Sequence, residues 1–164
     1  MTDYKALLEI LLDANVRFVV IGGLAGNAHG AARFTQDVDI VYERTAKNYE
    51  ALVVALSPHQ PYLRGAPLGL PFRWNEPTIK SGLNFTLTTT LGDLDLLGEV
   101  AGGGTYAELD SHAVEIALFD LPCLYLDLPK LIETKRAAGR PKDFEAIAEL
   151  EILLEEREKL ENSG

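Results

Sequence analysis

The sequence predicts an α/β domain, and three observations predict it. A β-branched run, Arg17-Phe-Val-Val-Ile, stops at the glycine pair Gly22-Gly23. Polar and apolar residues alternate through Gln36-Asp-Val-Asp-Ile-Val-Tyr, the period of a strand. Tyr4, Leu7, Leu8, Leu11 and Leu12 recur at helical spacing. The 164 residues, 47% hydrophobic and 24% charged, suit one globular domain with a real core and exclude disorder, collagen-like repeats and coiled coil.

The elements follow in order. Asp3 is placed to cap the first helix. The run from Arg17 reads as a buried strand opening into a tight turn, and Leu24 to His29 as a short helix closed by Gly30. The next strand, Gln36 to Tyr42, puts Asp37 and Asp39 on one face and Val38 and Ile40 on the other. Thr45 caps a helix through Tyr49, Leu52, Val53 and Leu56. Five of the eight prolines then fall between Pro58 and Pro77, a stretch that reads as a loop over a site. Its Trp74 is suited either to stack on a base or to cover the core. Leu83 to Thr90 and Asp93 to Leu97 form a hairpin joined at Gly92, a Gly102-Gly-Gly turn follows, and Val114 to Phe119 is another strand. Asp127 caps a helix over 128–138 that Gly139 ends, and Pro141 opens a last helix reaching about Leu160. Residues 1–126 make the core of this single domain and 127–161 its helical C-terminal part.

Charge and hydropathy narrow the function. The longest uncharged apolar run, Phe18 to Gly26, falls far short of the roughly 20 residues that span a bilayer, and no targeting signal opens the chain, so a cytoplasmic protein without membrane contact is expected. Fifteen basic against twenty-five acidic residues argue against holding nucleic acid by bulk phosphate neutralisation. Between Asp143 and Glu161 eight acidic residues face two basic ones, so much of the acidity is one solvated helix face. The lone Cys123, in Leu121-Pro-Cys-Leu-Tyr-Leu, suits a buried structural thiol.

The chemistry concentrates in 25 residues. Adjacent glycines let backbone N–H groups approach phosphate oxygens, and two carboxylates at i and i+2 of one strand face suit a hard cation such as Mg²⁺. Such a cation bridges nucleotide phosphates to a reacting oxygen. Two aspartates also make poor strand material unless their face meets water or metal.

Ile21-Gly22-Gly23, thirteen further residues and then Asp37-Val-Asp39-Ile40 resemble the signature of the nucleotidyltransferase superfamily that contains β-type DNA polymerases and kanamycin nucleotidyltransferase. The segment His29-Gly-Ala-Ala-Arg33-Phe-Thr35-Gln-Asp-Val-Asp is similar to its small bacterial stand-alone members and to toxins of toxin–antitoxin systems. The resemblance implies a mixed β-sheet flanked by helices, with Gly22 and Gly23 cradling triphosphate and Asp37 and Asp39 holding Mg²⁺ or Mn²⁺. It implies a third carboxylate on a neighbouring strand, as metal ligand or base. Asp95 is preferred to Asp93, because an acid within Leu94-Asp-Leu-Leu is costly unless paired or bound to metal.

Arg33 and Thr35, just before the carboxylates, are candidate phosphate ligands. His29 fits a turn better. Lys135 continues the apolar stripe of Leu128, Leu131 and Ile132, and Asp143 continues that of Ile147, Leu150 and Leu154. Either the two form an ion pair between helices, or Lys135 reaches phosphate and Asp143 orients it. The expected activity is metal-dependent transfer of a nucleoside monophosphate from an NTP to an acceptor hydroxyl or phosphate, with release of pyrophosphate. An RNA end, a protein and a small molecule all fit as acceptor, an antitoxin as partner, and Lys130, Lys135, Arg136, Arg140 and Lys142 supply a local basic patch. The competing reading is a nucleotide-binding or partner-binding module that keeps the fold without turnover.

Overall fold

The computed structural model describes residues 1–163. Its frame is a seven-stranded mixed sheet. The central strand β1 (Phe18–Ile21), apolar and buried throughout, lies antiparallel to β2 (Asp37–Tyr42). Beyond β2 come β5 (Gly92–Leu97), parallel to it, then β4 (Asn84–Thr89) and the two-residue β3 (Tyr62–Leu63), each antiparallel to its neighbour. On the other side of β1, β9 (Leu121–Leu126) runs parallel to it and pairs with the edge strand β8 (Ala113–Leu118). A separate small ribbon, β6 (Glu99–Val100) with β7 (Gly104–Thr105), closes around the triple-glycine turn.

Capping residues start the helices where the sequence places them. Asp3 accepts from the Ala6 amide at 3.0 Å to begin α1 (Tyr4–Asp13), Thr45 from Asn48 at 3.3 Å for α3 (Ala46–Leu56), and Asp127 from Lys130 at 2.8 Å for α6 (Leu128–Ala138). Gly139 ends α6 at φ +65°, the left-handed position that favours glycine. A short 3₁₀ turn from Pro141 leads into α7 (Phe144–Ser163). The short helix α2 (Gly22–Ala28) begins two residues before the expected Leu24, at the glycine pair itself. Helices α1 and α3 pack together, while α2, α6 and α7 form a second group.

Three parts differ from expectation. The proline-rich 58–77 stretch is tied down rather than loose: Leu63 pairs with Leu87, and the rings of Tyr62, Phe72, Trp74 and Phe85 form a chain with centroid spacings of 5.9, 6.4 and 5.7 Å. Trp74 donates Nε1–H to the Leu52 carbonyl at 3.1 Å, so it covers the core and is not a base platform. The stretch ends in α4 (Glu76–Ser81), with Asn75 as its cap and Pro77 in its first turn, and α5 (Tyr106–Leu109) follows β7. Finally, Leu121 to Leu126 is a strand despite Pro122. β1 meets β9 only at Val20 opposite Tyr125, so the proline stands at the hairpin end where no strand needs its missing N–H. Cys123 is buried in this strand, as expected, and burial pushes its thiol up to about 11.

Candidate functional site

The site is built where β1 turns into α2. Gly22 sits at φ +69°, and a Cβ there would overlap the Asp39 carboxylate. A Cβ on Gly23 would stand 2.8 Å from Thr35 Oγ1. Both glycines therefore serve the approach of the second strand and the segment before it to the helix start. Thr35 is held in turn by its hydroxyl, which donates to the Asp37 carbonyl at 3.2 Å.

Strand register then assembles the acids. In the parallel pair of β2 and β5, Asp37 lies opposite Asp93 and Asp39 opposite Asp95, so all four carboxylates leave the same face. One oxygen each from Asp37, Asp39 and Asp95 fall within 4.8 Å of one another, a spacing that can hold a metal ion. The donor set, three hard oxygens, suits a hard divalent cation rather than a soft metal. The electrostatics match as well. Asp39 Oδ1 is buried without a hydrogen-bond partner. Burial, followed by the charges of Asp37 and Asp95, pushes the Asp39 carboxyl up to about 8, against a smaller opposing pull from Lys135. Asp37 is also raised, by burial and then by Asp95, with Arg64 opposing. The carboxylates outnumber the positive charges beside them, and a bound cation would offset the excess.

Asp37, Asp39, Asp95, Gly22, Gly23, Arg33, Thr35 and Lys135 all line one cavity of about 390 Å³. Its far wall comes from the α6–α7 corner, where Arg140 and Lys142 join Lys135. Lys135 does not pair with Asp143, which corrects the ion-pair reading: Arg140 donates Nε–H to Asp143 Oδ2 at 2.7 Å and takes that role. Burial lowers the Lys135 pKa, while Asp143 and Asp39 oppose the shift. Arg33 is half exposed and 3.4 Å from Glu145. Lys130 and Arg136 are not part of the cavity wall; they pair with Glu133 and Glu151, which divides the expected basic patch. His29 is buried, with Nε2 2.8 Å from the Leu126 carbonyl, and ties α2 to β9.

The residue that sequence reasoning missed is Arg64. Its guanidinium lies 2.8 Å from Asp95 Oδ1, 3.5 Å from Asp93 Oδ2 and 3.8 Å from Asp37 Oδ2. The only local signal was an arginine among prolines.

A crystal structure from Thermotoga maritima, described as that of a "putative nucleotidyltransferase", superposes with a TM-score of 0.57 over 90% of this chain and 93% of its own, at 15% identity. The chain has a nucleotidyltransferase-type fold. No family model and no curated protein sequence matches it. Among the described residues no helix is long and apolar enough to cross a membrane.

Proposed function

We propose that the protein transfers a nucleoside monophosphate from an NTP to an acceptor hydroxyl or phosphate and releases pyrophosphate. One observation carries this reading: three carboxylates on two in-register strands converge on a cavity whose opposite wall is cationic. The two walls match the two demands of the chemistry, a place for a divalent ion and a place for polyphosphate.

In this reading Asp37, Asp39 and Asp95 hold Mg²⁺, with Mn²⁺ a competent substitute. When bound, the ion neutralises phosphate charge and aligns the reacting oxygen with it. The backbone at Gly22 and Gly23, with Thr35 and Arg33 at the rim, receives the triphosphate, and Lys135, Arg140 and Lys142 face its charge from α6 and the corner beyond. The acceptor oxygen forms a bond to the α-phosphorus as the bond from that phosphorus to the pyrophosphate oxygen breaks. Where the acceptor is a hydroxyl, its proton passes to Asp95, and the electron pair of the broken bond leaves on pyrophosphate. An RNA end, a protein side chain and a small hydroxylated compound all satisfy this chemistry as acceptor.

Calorimetric titration of Mg·ATP, Mg·GTP, Mg·CTP and Mg·UTP into wild type and an Asp37→Ala, Asp39→Ala variant tests the reading. Binding that needs both Mg²⁺ and the carboxylates is expected; tight metal-free binding, or none to any NTP, overturns it. The toxin form of the reading, with an antitoxin as partner, predicts growth arrest on expression in a bacterial host. Arrest that persists in the double variant refutes the catalytic toxin.

A further inference from the structure

Arg64 reaches the acids from outside the cavity. Its backbone N–H donates to the Thr86 carbonyl at 2.9 Å, beside β3, and its side chain crosses β4, where Nη2 donates to the Leu87 carbonyl at 2.7 Å. It then meets Asp95, Asp93 and Asp37, but not Asp39. Arg64 is not part of the wall formed by Lys135, Arg140 and Lys142. The acid cluster therefore carries its own cation on one side and faces the phosphate cavity on the other.

We infer that Arg64 is an internal counter-ion of the carboxylate cluster, a positioning residue that holds Asp95 and Asp37 in the metal-free protein and with which a divalent ion must compete. This rests on the metal-dependent reading above. A guanidinium stays charged at any working pH, so it cannot yield by losing a proton; it must move or share its oxygens. Two of the three carboxylates able to hold a metal, Asp37 and Asp95, are also Arg64 partners. Asp93, outside that set, keeps a contact through which the guanidinium can swing aside without leaving the acids. The third member, Asp39, has an oxygen that the guanidinium does not satisfy. A metal ion answers Asp39 and opposes Arg64, and the negative charge of a triphosphate arriving with the ion offsets the added positive charge. Metal alone thus binds weakly and metal with nucleotide binds well, which limits idle occupancy of the site.

Two measurements on the full chain test this. In calorimetry with Mg²⁺ alone, Arg64→Ala and Arg64→Gln are expected to bind about tenfold or more tightly than wild type, the scale of removing a close like charge. In wild type, the Arg64 Nε–H signal in a ¹⁵N spectrum is expected to shift and to exchange faster with water at the same midpoint as Mg²⁺ saturation. The spectrum needs no variant, so it decides the question even where the substitutions unfold the protein. Equal Mg²⁺ affinity in folded wild type and variants, or an Arg64 signal unmoved at saturation, overturns the counter-ion and leaves the nucleotidyltransferase reading standing. Mg²⁺ and Mg·NTP binding to neither wild type nor variants overturns both.

Discussion

Asp39 and Asp95 occupy matching positions on adjacent strands, yet their surroundings are opposite. Asp95 has an arginine at 2.8 Å. Asp39 is walled by Gly22, shares its space with two other acids, and keeps a buried oxygen without a partner. The difference teaches how one cluster can be both stable and ready. The Asp95 side is charge-compensated by an arginine of the protein, whereas the Asp39 side is not, and it is there that the proposed metal ion would be needed most.

Removing Asp39 breaks the comparison most severely. The Asp37→Ala, Asp39→Ala variant should lose pyrophosphate release on the order of 10³-fold or more, since metal assistance contributes several kcal/mol to such transition states. A continuous pyrophosphate assay with the preferred NTP measures it. Gly22→Ala comes next. It keeps every carboxylate but forces a side chain into the space of the Asp39 carboxylate at a φ that L residues resist. Mg²⁺ affinity should fall about 10–100-fold, as it does when the support of a metal ligand is disturbed. Calorimetry on the folded variant reads this directly.

The same asymmetry appears in pH dependence. The folded-state pKa of Asp39 is raised from 3.8 to about 8, so the unfolded chain releases this proton first as pH rises. Metal-free stability is therefore greatest below the unfolded pKa and falls between about pH 4 and about pH 8. Urea unfolding in the presence of a chelator should show that fall, and Asp39→Asn should flatten it. Saturating Mg²⁺ should also flatten it, because a bound cation favours the charged carboxylate.

The two sides were not equally legible in the sequence. Gly22, Gly23, Asp37 and Asp39 lie within one short strand–helix–strand unit, and both the glycine pair and the alternation are local patterns. Asp95 was singled out in two steps: the family resemblance implied a third carboxylate on a neighbouring strand, and the cost of an acid inside an apolar run preferred Asp95 to Asp93. Arg64 was not readable, because its meaning depends on a two-residue strand and on a partner 31 positions away. Irregular spacing hid the aromatic chain that anchors this region, and Pro122 disguised β9. Short-range periodicity reports elements, whereas edge pairings of this kind exist only once β4 and β5 are in register.

The cations of the cavity wall sharpen the comparison by smaller steps. Lys135 pulls on Asp39 from a distance, and burial has already lowered its pKa, which is the condition of an ammonium awaiting an anion. Lys135→Met should weaken binding of inorganic tripolyphosphate with Mg²⁺ about tenfold, the worth of one charge-assisted contact. Arg33→Ala should cost only about two- to threefold, since an exposed pair such as Arg33 with Glu145 carries little free energy and its arginine is already hydrated. Calorimetry of both variants against one ligand gives the ratio. An Arg33 loss equal to that of Lys135 would mean that the rim closes over the phosphates, so that exposure in the free protein does not measure contact in the bound one. A loss confined to Lys135 places the decisive charge on α6, on the Asp39 side of the cluster, where the protein has left its own acid unpaired.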